Sequence, residues 1–104
     1  MHRLGFEAEN IQELIHTLQE NQRVVVKSVL SHMATSDAEE HKAFSLSQIR
    51  LFEELSSQLM QELHTKPIRH ILNTSGISNF PQGQYDMVRL GIGLYGVSND
   101  REEQ

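Results

Sequence analysis

Asp86-Met87-Val88-Arg89-Leu90-Gly91-Ile92-Gly93-Leu94-Tyr95-Gly96 places an arginine at the end of a short apolar run, directly before a glycine-rich turn. Glycines let backbone amides approach an anion closely, and a guanidinium two residues before Gly91 can reach a ring or carboxylate held at the same turn. The arrangement suits a phosphate-bearing ligand. Gly91-x-Gly93-x-x-Gly96 also has the glycine spacing of a dinucleotide-binding turn, but that fingerprint must open a helix inside a strand-helix-strand unit. Only Val97-Ser98 and a charged tail follow, so the dinucleotide reading is set aside.

The elements upstream alternate. Ile11, Leu14, Ile15 and Leu18 form one apolar helical face, which predicts a helix over about 8–20 with Asn10 and Glu13 as a capping pair. Val24 to Leu30 is rich in β-branched residues and predicts a buried strand ending near His32. Ser45-x-x-Gln48 predicts a capping box for a long helix whose face carries Ile49, Phe52, Leu55, Leu59, Met60 and Leu63, with Pro67 beyond its end. A second strand is expected at about 68–72, leading into Asn73-Thr74-Ser75-Gly76, and a third at about 87–90, leading into the glycine turn. Helix, strand, helix, strand, short connection, strand is the order of parallel βα units. His32, Asn73, Thr74 and Arg89 then all lie near the carboxyl ends of strands, where α/β folds build their active sites.

Composition bounds the remaining possibilities. With 104 residues the chain is at most one domain, well short of the roughly 250 residues of a complete eight-unit barrel. A net charge of −5 argues against a nucleic-acid or anionic-membrane surface. The absence of cysteine excludes disulfides, thiolate metal sites and thiol nucleophiles. The six histidines lack tight metal-ligand spacing. No apolar run is long enough to span a membrane, and Met1 to Gly5 does not open a signal peptide, so a cytoplasmic protein is expected. At a strand end, His32 or His70 is more commonly a satisfied structural histidine than a catalytic one. Lys27 alternates onto the face opposite His32, which favours a structural or solvent-facing role over a Schiff base. Asp37, Glu39 and Glu40 read most simply as a solvated loop or helix start.

Four segments, Met1-His2-Arg3-Leu4-Gly5, Ser31-His32-Met33-Ala34-Thr35-Ser36-Asp37, His70 to Gly76 and Asp86 to Gly96, together resemble the alanine racemase family of barrel-type pyridoxal-phosphate enzymes, in family order and with compatible spacing. The resemblance implies an α/β fold that is part of a (β/α)8 TIM-type barrel, its last three or so units, with 1–96 as the barrel segment and 97–104 as a linker or tail. It implies that Arg3 lies near the cofactor and helps bind the substrate carboxylate. His32 would support Arg89, which would donate to the pyridine nitrogen. Asn73 and Thr74 would follow the strand, the Thr74 hydroxyl and the backbone amides of Gly91 and Ile92 forming the phosphate cup.

The same resemblance implies pyridoxal 5'-phosphate as cofactor and alanine as substrate. The parent enzyme would be a homodimer that interconverts L- and D-alanine for cell-wall precursors. An arginine stays protonated near neutrality, so a hydrogen bond from Arg89 would leave the pyridine nitrogen unprotonated and the ring a weaker electron sink. That favours prompt return of a proton over transamination. The family's Schiff-base lysine and cross-subunit tyrosine have no match here, which predicts a fragment inactive alone. A broader amino-acid racemase, or a non-catalytic cofactor-binding or interaction module, are the alternatives.

Overall fold

Pro67 decides where the sheet begins. The structure is a computed structural model and describes residues 4–97. Within them β1 (Ser28–Leu30) and β2 (Ile68–His70) pair in parallel, with Ser28 opposite Ile68 and Leu30 opposite His70. The Ile68 amide donates to the Lys27 carbonyl at 3.0 Å. The preceding residue, Pro67, has no N–H to carry the ladder back toward Val26. The strand expected over 24–30 therefore forms only in its last three residues, and Val24 and Val25 are exposed.

Parallel strands require a crossover, and here it is α2 (Lys42–Leu63). Ser45, Ile49, Phe52, Ser56 and Leu59 recur at three- and four-residue spacing and are buried on one face of it. α2 starts one turn before the expected capping box, after a 3-10 turn at Glu39–His41. Ser45 consequently sits inside the helix, buried, where its hydroxyl pairs with Thr35 at 3.2 Å. At the other end His64 turns left-handed (φ 51°) and closes the helix. The earlier α1 (Ile11–Glu20) follows a 3-10 turn at Ala8–Asn10. Asn10 is already helical, and its side chain caps backward, accepting from the Glu7 amide at 3.1 Å, instead of pairing with Glu13 as expected.

Two apolar clusters meet at Val29. Ile11 and Ile15 of α1 pack with Leu59 of α2, and Met33, Ile49, Phe52, Ile71, Leu72 and Phe80 form the larger group. Met33, Ile71 and Leu72 are fully buried immediately beyond the strands, so the segments leaving β1 and β2 are anchored where the candidate site lies. The short α3 (Thr74–Asn79) follows, capped by the Asn73 side chain, which accepts from the Gly76 amide at 3.0 Å.

The third expected strand, 87–90, is not a regular strand. The Asp86 and Arg89 amides donate to the Arg69 and Leu72 carbonyls at 3.1 and 3.0 Å, so the segment runs beside β2 in the same direction. Two features break the ladder. The Asp86 carboxylate takes the Arg69 amide at 2.9 Å, in place of a backbone carbonyl, and Tyr85 just before it is left-handed (φ 39°). Arg69 lies over the Tyr85 ring, 4.7 Å from its centroid, which holds that bend against β2.

Candidate functional site

The chain leaving β1, the chain leaving β2 and the segment 89–93 converge at one end of the sheet, and Arg89 joins all three. Its guanidinium meets His70 Nδ1 at 2.8 Å and donates to the Ser31 carbonyl at 2.7 Å and the Ile71 carbonyl at 3.2 Å. Arginine has no acceptor, so His70 Nδ1 must accept and the ring carries its proton on Nε2. Burial, reinforced by the Arg89 charge, pushes the His70 pKa down, in keeping with a neutral ring. Burial also lowers the Arg89 pKa, yet a guanidinium stays charged at any physiological pH. The three contacts use three of its five donors and leave capacity for a ligand atom.

Beside Arg89 lies a cup built on Thr74. Its hydroxyl oxygen accepts from the Gly91 amide at 3.0 Å and the Gly93 amide at 3.1 Å. Two converging backbone donors form the kind of concavity that holds an anion oxygen, and the hydroxyl oxygen now sits where such an oxygen would be bound. Gly93 is required sterically. A Cβ there would stand 2.7 Å from the Thr74 methyl and 2.8 Å from a Leu90 methyl. The cup opens into a shallow cavity of about 200 Å³ lined by Thr74, Ser78, Leu90 and Gly93, among others. The Thr74 O–H can donate to a phosphate oxygen at this opening, and the two amides can do so where the hydroxyl oxygen gives way to it.

Behind the cup, Asn73 ties two loops together. Its Oδ1 accepts from Ser36 Oγ at 2.6 Å as well as from Gly76 N, and its Nδ2 donates to the Met33 carbonyl at 3.4 Å. Asn79 Nδ2 in turn donates to the Ser36 carbonyl at 2.9 Å. From α2, Gln48 donates to the His32 carbonyl and accepts from the Ala34 amide, fixing the same loop.

Of the residues singled out in the sequence, Asn73, Thr74, Arg89 and Gly91 are brought together. His32 lies on the adjoining loop with an exposed side chain, and the histidine whose ring meets Arg89 is His70. Ile92 opens a short 3-10 turn, and it is the Gly93 amide that joins Gly91 on the Thr74 oxygen. Arg3 and the residues beyond Val97 lie outside the described residues. Sequence patterning missed Ser31, Ser36, His70 and Gly93 as members of the site. Only the glycine spacing and the position of His70 at a strand end hinted at two of them. Among the described residues no cluster of histidines and carboxylates could hold a metal.

The family model described as the alanine racemase N-terminal domain matches residues 1–99. The chain is similar to the alanine racemase of Legionella pneumophila (strain Corby), 40% identical over 100 residues, covering 94% of this chain and 26% of that protein. It is also similar to alanine racemase 1 of Oceanobacillus iheyensis, 33% identical over 98 residues. The chain thus spans about a quarter of the length of these curated relatives. Among solved structures, alanine racemase from D-cycloserine-producing Streptomyces lavendulae superimposes with a TM-score of 0.79 at 29% identity, over 98% of this chain and 27% of that one. The Bartonella henselae alanine racemase with covalently bound pyridoxal phosphate gives 0.74 at 28% identity, over 95% and 27%.

Proposed function

The chain belongs to the alanine racemase N-terminal domain family, and on that premise we propose that it is the cofactor-cradling last part of an alanine racemase barrel, residues 1–96, with a linker or tail beyond. The parent protein would interconvert L- and D-alanine in the cytoplasm as a homodimer and supply D-alanine to cell-wall synthesis. One observation carries the reading: the Thr74 hydroxyl joined to the Gly91 and Gly93 amides, next to an Arg89 held by His70.

The residues present fit pyridoxal 5'-phosphate. Thr74, Gly91 and the backbone through Ile92 and Gly93 would hold the phosphate, and Arg89 would face the ring nitrogen. When bound, the cofactor supplies a ring that accepts electron density from the α-carbon of an amino acid. Arg89 arrives as a donor already fixed by two carbonyls and a neutral imidazole, so it has no proton acceptor to offer a ring nitrogen. That withholds a proton from the ring and keeps the sink weak, which favours racemisation over transamination. Arg3 would bind the substrate carboxylate, and His32 would line the approach from the loop after β1.

Titrating the chain with pyridoxal 5'-phosphate and with pyridoxal tests the reading. Binding that depends on the phosphate supports it. Equal affinity for both compounds, or none for either, overturns it.

A further inference from the structure

We propose that Ser36 is a positioning residue for the phosphate cup, acting through Asn73 on Thr74. The Ser36 hydroxyl is buried and donates to Asn73 Oδ1 at 2.6 Å, the shortest link in the knot between the loop after β1 and the loop after β2. The same Oδ1 accepts the Gly76 amide, so one oxygen holds both the Ser36 loop and the first turn of α3. Thr74 is the first residue of that turn and follows Asn73 directly. Its hydroxyl is aimed by whatever fixes the Asn73 backbone and cap.

The packing leaves little slack. A Cβ on Gly76 would stand 3.0 Å from a Leu72 methyl, 3.1 Å from Asn73 Oδ1 and 3.2 Å from the Met33 sulfur. The Ser36 carbonyl is itself held by Asn79 at the far end of α3, so the helix is strapped to the Ser36 loop at both ends. Without the Ser36 hydroxyl, Asn73 Oδ1 keeps only its bond to Gly76, and the opposite loop holds the Asn73 side chain only through the long 3.4 Å bond from Nδ2 to the Met33 carbonyl. The Thr74 oxygen then holds Gly91 and Gly93 less tightly, although Ser36 touches neither glycine. The proposal rests on the reading of Thr74 as a phosphate ligand.

Amide hydrogen exchange on the full chain provides the test. Ser36→Ala is expected to speed exchange at Gly76, Gly91 and Gly93 by about five-fold, while the Ile15 and Leu59 amides keep their wild-type rates. Ser36→Thr, which retains the hydroxyl, is expected to restore the slow rates. Acceleration at Gly76 alone, or uniform acceleration across the chain, overturns the proposal. Should Ser36→Ala fail to fold, Asn79→Ala loosens the same loop through its carbonyl. The same three amides are then expected to speed up, and their constancy overturns the proposal. A parallel titration with pyridoxal 5'-phosphate separates the two claims. A wild-type chain that binds no cofactor refutes the phosphate reading, while the exchange pattern still decides the role of Ser36.

Discussion

His70 Nδ1 lies 2.8 Å from an Arg89 terminal nitrogen, and this contact fixes the charge state of both partners: the arginine donates, so the imidazole is neutral. His70 is buried, and its pKa is lowered from 6.5 by desolvation first and by the Arg89 charge second. In the unfolded chain the histidine binds a proton more readily. Below pH 6.5 the unfolded state therefore takes up protons that the folded state refuses, and stability falls as pH drops.

The unfolding midpoint in urea is accordingly expected to decline from pH 7 through the depressed folded pKa of His70. His70→Gln removes the titrating ring and is expected to flatten that part of the profile. A wild-type profile no steeper than that of His70→Gln would mean that the histidine is not neutral against Arg89.

Arg89→Lys retains the charge but not the fork. A lysine ammonium cannot span His70 and the Ser31 and Ile71 carbonyls in the same geometry. A loss of about 2 kcal/mol in unfolding free energy is expected, the scale for partly buried groups losing a charged donor. Stability within a few tenths of wild type would show that the carbonyl contacts contribute little.

Gly93→Ala places a Cβ 2.7 Å from the Thr74 methyl and 2.8 Å from a Leu90 methyl. The overlap is expected to destabilise the chain by about 1–3 kcal/mol. Thr74→Ser removes one of the two clashing methyls while keeping the hydroxyl, so the double variant is expected to regain roughly half of the loss. Strict additivity of the two substitutions would contradict the contact.

No racemase turnover is expected from the chain alone. Lys27 and Lys66 sit before β1 and β2, at the ends of the strands away from Thr74 and Arg89, so neither is placed to reach a group held in the cup. Incubation with pyridoxal 5'-phosphate and L-alanine, followed by a stereospecific assay for D-alanine, checks this. Sustained turnover lost on replacing Lys27, Lys42 or Lys66 would contradict it.

The helix-strand alternation was legible because it rests on local patterns: the apolar stripe of α2, the β-branched run before β1 and the glycines after Arg89. Strand length was not, since β1 begins only where Pro67 on another segment stops withholding an amide. The broken third strand escaped for a similar reason, the Asp86 carboxylate outcompeting a backbone carbonyl for the Arg69 amide. Within the site, Thr74 and Arg89 announced themselves by position. The pairing of Arg89 with His70 did not, because it depends on how 89–93 lies against β2, which no local pattern specifies. Ser36 was hidden likewise: a serine in a polar loop reads as solvated until its buried bond to Asn73 is seen.

Under the proposed function, the Thr74 hydroxyl, with the Gly91 and Gly93 amides, holds the phosphate of pyridoxal 5'-phosphate. Thr74→Val keeps the branched shape and deletes the hydroxyl, and a lost hydrogen bond to a charged group is typically about 1.5–3 kcal/mol. Absorbance titration of wild type and Thr74→Val with pyridoxal 5'-phosphate is therefore predicted to show affinity falling by roughly ten- to a hundred-fold, with pyridoxal binding unaltered. Equal affinity of the two proteins for pyridoxal 5'-phosphate would contradict the claim.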